Sequence, residues 1–424
     1  MGRTAQRIRV RSEDDIVRAV QAAREAGGRV RAVGSGGSKN GINATSGATV
    51  HLDLLDRAIA VRDGVATVEA GMRCSQLQTL IGREGLALPT VGEWQHPTIG
   101  GALATGTHGG SARYGILSSS VRNLRIVTGA GEVVEVSRGD PDFDHVGVSL
   151  GALGIVSSVT LQCVPRFSLK LETDVIPFDH YLRDPVAQES RSEFHSAIWV
   201  PTARRVIRFA ADRTADRTRA DRREQRFGNR TAIASFLSRR LHLHAAVSSR
   251  NFRRTAVGDC AAILSPIGVS PQLARSRVVV NAARLVRASE LAIPASRAGE
   301  ALARLDRLFR AHRWALNNPI GLRMTAGDGF SLSPCFGRDT LWVDLFYDDT
   351  EPFVTSLRVL AEELEARCHW GKKLLLSSAH LRGRFPRWSA FQAARARYDP
   401  DGVLANRFTD ELGLTGAATT GCAT

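Results

Sequence analysis

The sequence predicts an α+β protein of more than one domain, and three observations carry that prediction. The chain has 424 residues, enough for two or three modules and more than one hydrophobic core usually serves. Residues 1–165 interleave short strand patterns with helical ones around two glycine-rich stretches. From about residue 167 the texture changes to strands, a long arginine-rich polar segment, one helix and further strands.

In order along the chain, Ser12, Glu13, Asp14 and Asp15 cap a helix. Its apolar residues Ile16, Val17, Val20 and Ala23 recur at helical spacing, and Gly27 and Gly28 end it. Residues 29–33 alternate as a strand that runs into Gly34–Ser38. Strands at 49–54 and 65–69 bracket the turn at Arg62, Asp63 and Gly64. A helix over 75–84 and an apolar run over 86–91 lead to the second small-residue stretch, 98–110. Residues 122–128 and 133–137 form a hairpin about Gly129 and Gly131, and 154–163 is one more strand. Beyond it come strands at 196–200, 206–210, 321–325 and 341–347, and helices at 296–313 and 388–397. The last dozen residues are small and polar and read as a frayed tail.

Composition excludes several classes. No run of about 18 apolar residues predicts a membrane span, and the N-terminal stretch lacks the apolar region of a secretory signal. The six cysteines (74, 163, 260, 335, 368 and 422) show no metal or disulfide spacing, so no metal is expected and a reducing cytoplasm is the simplest compartment. The net charge of +15 comes from arginine, since only Lys39, Lys170, Lys372 and Lys373 are lysines. The densest basic stretch, 213–230, holds one aromatic and several acids. It reads as an exposed loop or helix rather than a nucleic-acid footprint.

The two small-residue loops carry the first chemical signal. The chain after Gly34, Ser35, Gly36, Gly37 and Ser38 has no helical pattern, which argues against a dinucleotide fingerprint that sets a helix start under a pyrophosphate. Such a loop can instead form a nest of backbone N–H groups around an anion, with hydroxyls adding donors. The stretch from Thr98 through Gly101, Thr105, Thr107, His108 and Gly109 has the same chemistry. Two such loops in one α+β unit point to a cofactor containing a diphosphate.

The order RVRAVGSGGS, VATVEAGMRCSQL, GLALPTVG, PTIGGALATGTHGGSARYG and SLGALGIVSSVTL is similar to the FAD-binding domain of the vanillyl-alcohol oxidase (PCMH-type) flavoprotein family. LSPCFGRD at 332–339, CHWGK at 368–372 and YDPDG at 398–402 resemble the sugar-1,4-lactone and alditol oxidases within it. The resemblance implies a FAD-binding domain over 1–168 built of two α/β subdomains. It implies a substrate cap on an antiparallel sheet over 169–372, a segment 373–412 returning to the FAD domain, and a flexible tail, 413–424. It implies that Gly34–Ser38 and Thr105–Gly109 wrap the FAD pyrophosphate, with the backbone at Ile155 near the adenine. Lys372 and Arg323 are then expected beside the flavin.

Two positions depart from the family pattern. Members with covalent FAD carry a histidine in GSGHS, where this chain has Gly37, so non-covalent FAD is expected. Gly321 stands where the family has the glutamate of Glu-x-Arg, which leaves Arg323 without that carboxylate and opens space for a differently shaped substrate. Trp342, Asp344 and Phe346 share a face of the next strand. Asp344 either approaches Arg323 from there or pairs with a surface arginine.

The chemistry implied is oxidation of a C–OH carbon by hydride transfer to the flavin, with nearby cations stabilising developing negative charge. Lys372 and Arg323 are the candidates for that role, and Gly321, Asp344, Phe346 and His369 are expected to line the substrate pocket. His96 is a candidate acid/base, the alternative being a hydrogen bond to its own loop. His108 reads as structural within the cofactor loop. The leading reading is an enzyme acting on a sugar, polyol or lactone, or on a sugar moiety of a larger molecule, with O2 or another electron acceptor. An ordinary aldonolactone or alditol oxidase producing H2O2 is the alternative, and a degenerate flavoprotein serving as a basic binding module is the more distant one.

Overall fold

The computed structural model describes residues 6–215, 253–259, 288–312, 319–347 and 350–415. Most of the 213–230 basic stretch, Cys260, Cys422 and the end of the tail lie outside them.

The N-terminal part holds two sheets. Strands β1 (Gln6–Arg9), β2 (Val30–Val33) and β3 (Ala48–His51) form a parallel sheet in the order β1-β3-β2. The helix Glu13–Glu25 joins the first two. It starts at Ser12, whose hydroxyl accepts from the Asp15 N–H in a capping box, and it buries Ile16, Ala19 and Val20. Three acids in its first turn suit the positive end of the helix dipole. Its end passes into Gly27 at φ 61°, a left-handed conformation that glycine adopts without a Cβ clash. Strands β4 (Ala58–Arg62), β5 (Val65–Glu69), β7 (Val121–Val127), β8 (Val133–Ser137) and β9 (Ile155–Gln162) make an antiparallel sheet in the order β4-β5-β9-β7-β8. A short ladder pairs β6 (Leu86–Ala87) with β10 (Val164–Pro165).

The second part is one antiparallel sheet of eight strands. These are β11 (Ser168–Pro177), β12 (Phe194–Val200), β13 (Arg205–Thr214), β14 (Arg253–Asp259), β15 (Ala288–Pro294), β16 (Ile320–Thr325), β17 (Thr340–Phe346) and β18 (Arg367–Cys368). Their order is β14-β11-β13-β12-β16-β17-β15-β18. Side chains alternate across a strand, and here the alternation separates a helix-covered face from a chemical one. Trp199 stacks on Phe178 with ring centroids 4.2 Å apart and also meets Phe309 of the helix Ala298–Ala311. On the opposite face the register sets Gly321 beside Asp344 and Asp344 beside Glu290, while Arg323 faces Trp342 one row away.

That polar face is held against the N-terminal part by backbone bonds. The His195 N–H donates to Gly110 O at 2.9 Å, and the Ser111 N–H donates to Met324 O at 2.8 Å. The C-terminal segment closes back on the N-terminal sheets. The Val30 N–H donates to Val403 O, the Gly129 N–H to Tyr398 O, and Asn406 Nδ2 reaches the carbonyls of Gly41, Ile42 and Ala44. The buried Arg31 ties the same layers together by donating to the Ile42, Leu150, Gly151 and Leu404 carbonyls, and burial pushes its pKa down to about 10.

Candidate active site

The two glycine-rich loops touch. A Cβ on Gly34 would stand 2.1 Å from Thr98 Oγ1, so only glycine lets the first loop reach the start of the second. Thr98 Oγ1 also accepts from the Gly101 N–H, which starts the short helix Ile99–Ala104 inside the second stretch. Gly109 is equally constrained, because a Cβ would lie 2.5 Å from Thr90 Oγ1 and 2.7 Å from Val91 O. Gly36 has φ 67°. Among the described residues, the N–H groups of Gly36, Gly37 and Ser38 have no backbone acceptor, nor have those of His108, Gly109 and Gly110. His108 and Gly109 are buried. Buried amide donors are nearly always paired, and successive backbone N–H groups are what an anion takes as ligands. These loops therefore fit the diphosphate of FAD.

A turn at 369–372 is clamped onto both loops. The Lys39 N–H donates to Gly371 O at 2.8 Å, and Asn40 Nδ2 donates to Trp370 O and Lys372 O. Thr105 Oγ1 lies 3.6 Å from where a Gly371 Cβ would be, and Thr107 packs on Gly92. Ile155 is buried and opens β9 opposite Val127.

At the junction lies a cluster of charges. Lys372 Nζ donates to Asp344 Oδ1 at 2.8 Å and lies 3.4 Å from Glu290 Oε2. Arg323 grips Glu93 with both arms of its guanidinium, Nε to Oε1 at 2.9 Å and Nη2 to Oε2 at 2.6 Å. Its Nη1 stands 3.6 Å from Glu290 Oε1. His108 Nε2 is 3.2 Å from that same oxygen, and its ring stacks on Trp342 with centroids 3.7 Å apart. Phe346 presents its ring 5.7 Å from Lys372 Nζ.

Burial and pairing compete in this cluster, and pairing wins for most members. Burial alone would lower the Lys372 ammonium, but Asp344 and Glu290 outweigh it and raise its pKa above the ordinary value. Glu290 is penalised by burial, yet Lys372 and His108 hold its carboxyl well below the usual range. Arg323 is likewise raised by Glu93, Glu290 and Asp344 against its burial. Asp344 goes the other way: burial pushes it up, with Glu290 adding to the rise and Lys372 opposing it. His369 is driven down to about 3 by burial and is neutral; its Nδ1 accepts from the Gly371 N–H. His108, Glu290 and His369 bring potential metal-ligand atoms within 4.8 Å of one another, although the carboxylate among them already carries Lys372 and Arg323.

Two expectations need correction. Arg323 does not lack a carboxylate, because Glu93 and Glu290 supply it from outside its own strand. Nor does Gly321 open space: a Cβ there would stand 3.3 Å from Asp344 Cβ and 3.5 Å from Arg323 Nη2. Asp344 does share the face of Arg323, but it bonds Lys372. His96 sits against Arg73, which donates both to its Nε2 (3.0 Å) and to its carbonyl (2.8 Å). Reading the sequence missed Glu290 as a site residue, although a lone carboxylate inside the apolar stretch 288–294 is itself a signal, since unpaired buried acids are rare. Glu93, Arg323, Thr90 and Gly110 border a cleft whose other wall is Phe194 and Phe209.

Paired cations beside two amide-rich loops define a FAD-dependent oxidoreductase acting on CH–OH donors. Residues 4–137 match the FAD binding domain and residues 159–412 match D-arabinono-1,4-lactone oxidase. The chain belongs to the D-arabinono-1,4-lactone oxidase family, as its motifs had implied. It is 33% identical to L-gulono-1,4-lactone dehydrogenase of Mycobacterium tuberculosis, covering 95% of this chain and 94% of that one. It is 26% identical to L-gulonolactone oxidase of Bos taurus, covering 95% and 93%. In fold it is similar to cholesterol oxidase from Brevibacterium sterolicum, with a TM-score of 0.74 over 96% of this chain and 94% of that one at 15% identity.

Proposed function

We propose that the protein oxidises a C–OH group of a sugar lactone, with FAD bound non-covalently. The observation that carries this reading is the Lys372–Asp344–Glu290–Arg323 cluster set against the two amide-rich loops. Gly34–Ser38 and Thr98–Gly109 hold the cofactor diphosphate, and Gly37 offers no nucleophile for a covalent link. Residues 1–168 with 373–412 form the FAD-binding part, and 169–372 form the substrate cap. When bound, FAD supplies the hydride acceptor. Lys372 and Arg323 stabilise negative charge that develops on the substrate oxygen, in a site largely shielded from water. Glu93 and Asp344 orient those cations and leave carboxylate oxygens for substrate hydroxyls. His96 takes the hydroxyl proton on Nε2 in place of the hydrogen bond it accepts there from Arg73, which still donates to the His96 carbonyl. Phe346 and His369 shape the pocket.

The relatives carry the names of both a dehydrogenase and an oxidase, and O2 or another acceptor completes the cycle here. Among the described residues no helix is long and apolar enough to cross a membrane. Cys74, Cys163, Cys335 and Cys368 are buried free thiols, which supports a reducing, cytoplasmic compartment. Anaerobic titration of the yellow holoprotein with L-gulono-1,4-lactone, D-arabinono-1,4-lactone and a panel of polyols tests the reading. Bleaching of the flavin by a lactone is expected, and a spectrum unmoved by every C–OH donor overturns it. Admission of air afterwards tells an oxidase from a dehydrogenase.

A further inference from the structure

We infer that Glu290 is the positioning residue of this site: its two carboxylate oxygens hold the Lys372 ammonium and the Arg323 guanidinium in place relative to each other. The inference rests on the proposed function for what the two cations do, but not for how Glu290 holds them. Glu290 lies on β15, is almost wholly buried, and is not itself among the residues that line the cleft. Its two oxygens are divided between the partners. Oε2 faces Lys372 Nζ at 3.4 Å, and Oε1 faces His108 Nε2 at 3.2 Å and Arg323 Nη1 at 3.6 Å. Its backbone carbonyl accepts the His369 N–H at 3.0 Å, so the same residue anchors the start of the turn that delivers Lys372.

The groups around Lys372 are Glu290 on β15, Arg323 on β16, Asp344 and Phe346 on β17, with the rings of His108 from the second glycine-rich loop and His369 from the same turn nearby. With Arg323 close by, one carboxylate is needed to balance each cation. Asp344 bonds Lys372 directly, and Glu93 bonds Arg323. Glu290 is the only one of the three carboxylates that bridges both cations. Removing its charge while keeping its shape leaves Lys372 with Asp344 alone against Arg323, so its proton comes off at lower pH. A buried ion-pair network broken at one member also loses geometry, because the freed cations turn toward water.

Glu290→Gln in the FAD-loaded full chain is the test, and it has two readouts. The first is the pH dependence of acetic anhydride labelling of each lysine by mass spectrometry. It works because the chain has only four lysines, and Lys170, at 49% side-chain exposure, is the internal reference. In E290Q the labelling midpoint of Lys372 is expected to fall by about one pH unit or more below its wild-type value, since one lost charge partner moves a neighbouring pKa by that much. The second is substrate reduction of the flavin, whose kcat should fall by about tenfold or more, with KM changing less and an alkaline limb moving to lower pH. An unchanged labelling midpoint with unchanged kcat overturns the inference. If E290Q does not fold, Glu290→Asp, which keeps the charge but draws it back by one methylene, should give an intermediate shift. A wild-type profile in E290D, or failure of both variants to fold, overturns the inference by assigning Glu290 to the fold alone. A wild type that no donor bleaches would sink the proposed function and leave the labelling result standing.

Discussion

Glu93 and Arg323 form a two-armed ion pair across the boundary between the loop-bearing part and the large sheet, with contacts of 2.6 and 2.9 Å. The arginine comes from β16 and the carboxylate from the segment just before the second glycine-rich loop. Bidentate guanidinium–carboxylate pairs fix direction as well as charge, so this one aims Arg323 along the cleft wall. Glu93→Gln keeps one acceptor and removes the charge. Charge-assisted hydrogen bonds of this kind contribute about 1.5–3 kcal/mol. The expected loss in kcat/KM for a lactone is therefore roughly tenfold to a hundredfold, mostly in KM if Arg323 binds substrate and transition state alike. Steady-state kinetics with the wild-type FAD content retained checks this, and an unchanged kcat/KM would detach Arg323 from substrate recognition.

Lys372 is expected to matter at the chemical step rather than in cofactor retention. Its backbone is tied down through Asn40, and its ammonium points at Asp344 and Glu290 rather than at the amide-rich loops. Lys372→Met keeps the length of the stem and removes the charge. The rate of flavin reduction by substrate should drop by about a hundredfold or more, the scale seen when one electrostatic donor to a developing oxyanion is removed. The flavin absorbance per protein should stay near that of the wild type. Stopped-flow reduction beside a flavin-release assay separates the two, and normal reduction by K372M would remove the residue from the mechanism.

The sequence made much of this frame legible, and what it hid has a physical cause. The helix at Glu13–Glu25, the hairpin of β7 and β8, and strands β5 and β16 all show the caps, turns or alternation that mark such elements. The pairing of Trp342 and Asp344 on one face was readable from period two alone. Strand β15 was not, because every one of its seven residues is buried and a strand covered on both faces has no alternation to read. With β15 unseen, Glu290 had no place in the site. The compensation at Gly321 was hidden for a different reason: it depends on Glu93, 230 residues from Arg323 in the chain, and no local pattern reports such a contact.

Gly37 offers a test of the proposed non-covalent binding of the flavin. Its φ is not in the left-handed range, and a Cβ there meets nothing nearer than Ser35 Oγ at 3.7 Å, so a side chain is tolerated. Gly34, earlier in the same loop, would collide with Thr98. The wild type should release all its flavin into the supernatant on acid precipitation. Gly37→His restores the residue found at this point in the covalent members of the wider family, and a fraction of the flavin should then stay with the pellet. Retention in the wild type would show that another residue makes the link, whereas complete release from G37H would show that the imidazole does not reach the flavin.

His369 predicts a pH dependence of stability. Burial drives its pKa down to about 3 from an ordinary value of 6.5. The unfolded chain therefore takes up a proton as the pH falls through 6.5 while the folded one does not. Stability contributed by the neutral ring is intact above about pH 6.5 and declines as the pH drops toward 3, at about 1.4 kcal/mol per pH unit. Glu290, whose folded pKa is depressed, adds its own loss only at lower pH, below the ordinary carboxylate range. His369→Asn places a side-chain oxygen near the Nδ1 position, where it can accept from the Gly371 N–H as the ring does at 3.0 Å. The variant should be less stable near neutrality, because the ring packs against His108 and Trp342 with centroids 5.7 and 5.9 Å away. Its Tm should nevertheless fall less steeply than that of the wild type between pH 6.5 and 4.5. Parallel Tm-against-pH curves for the two proteins would mean that His369 takes up its proton in the folded state as readily as in the unfolded one.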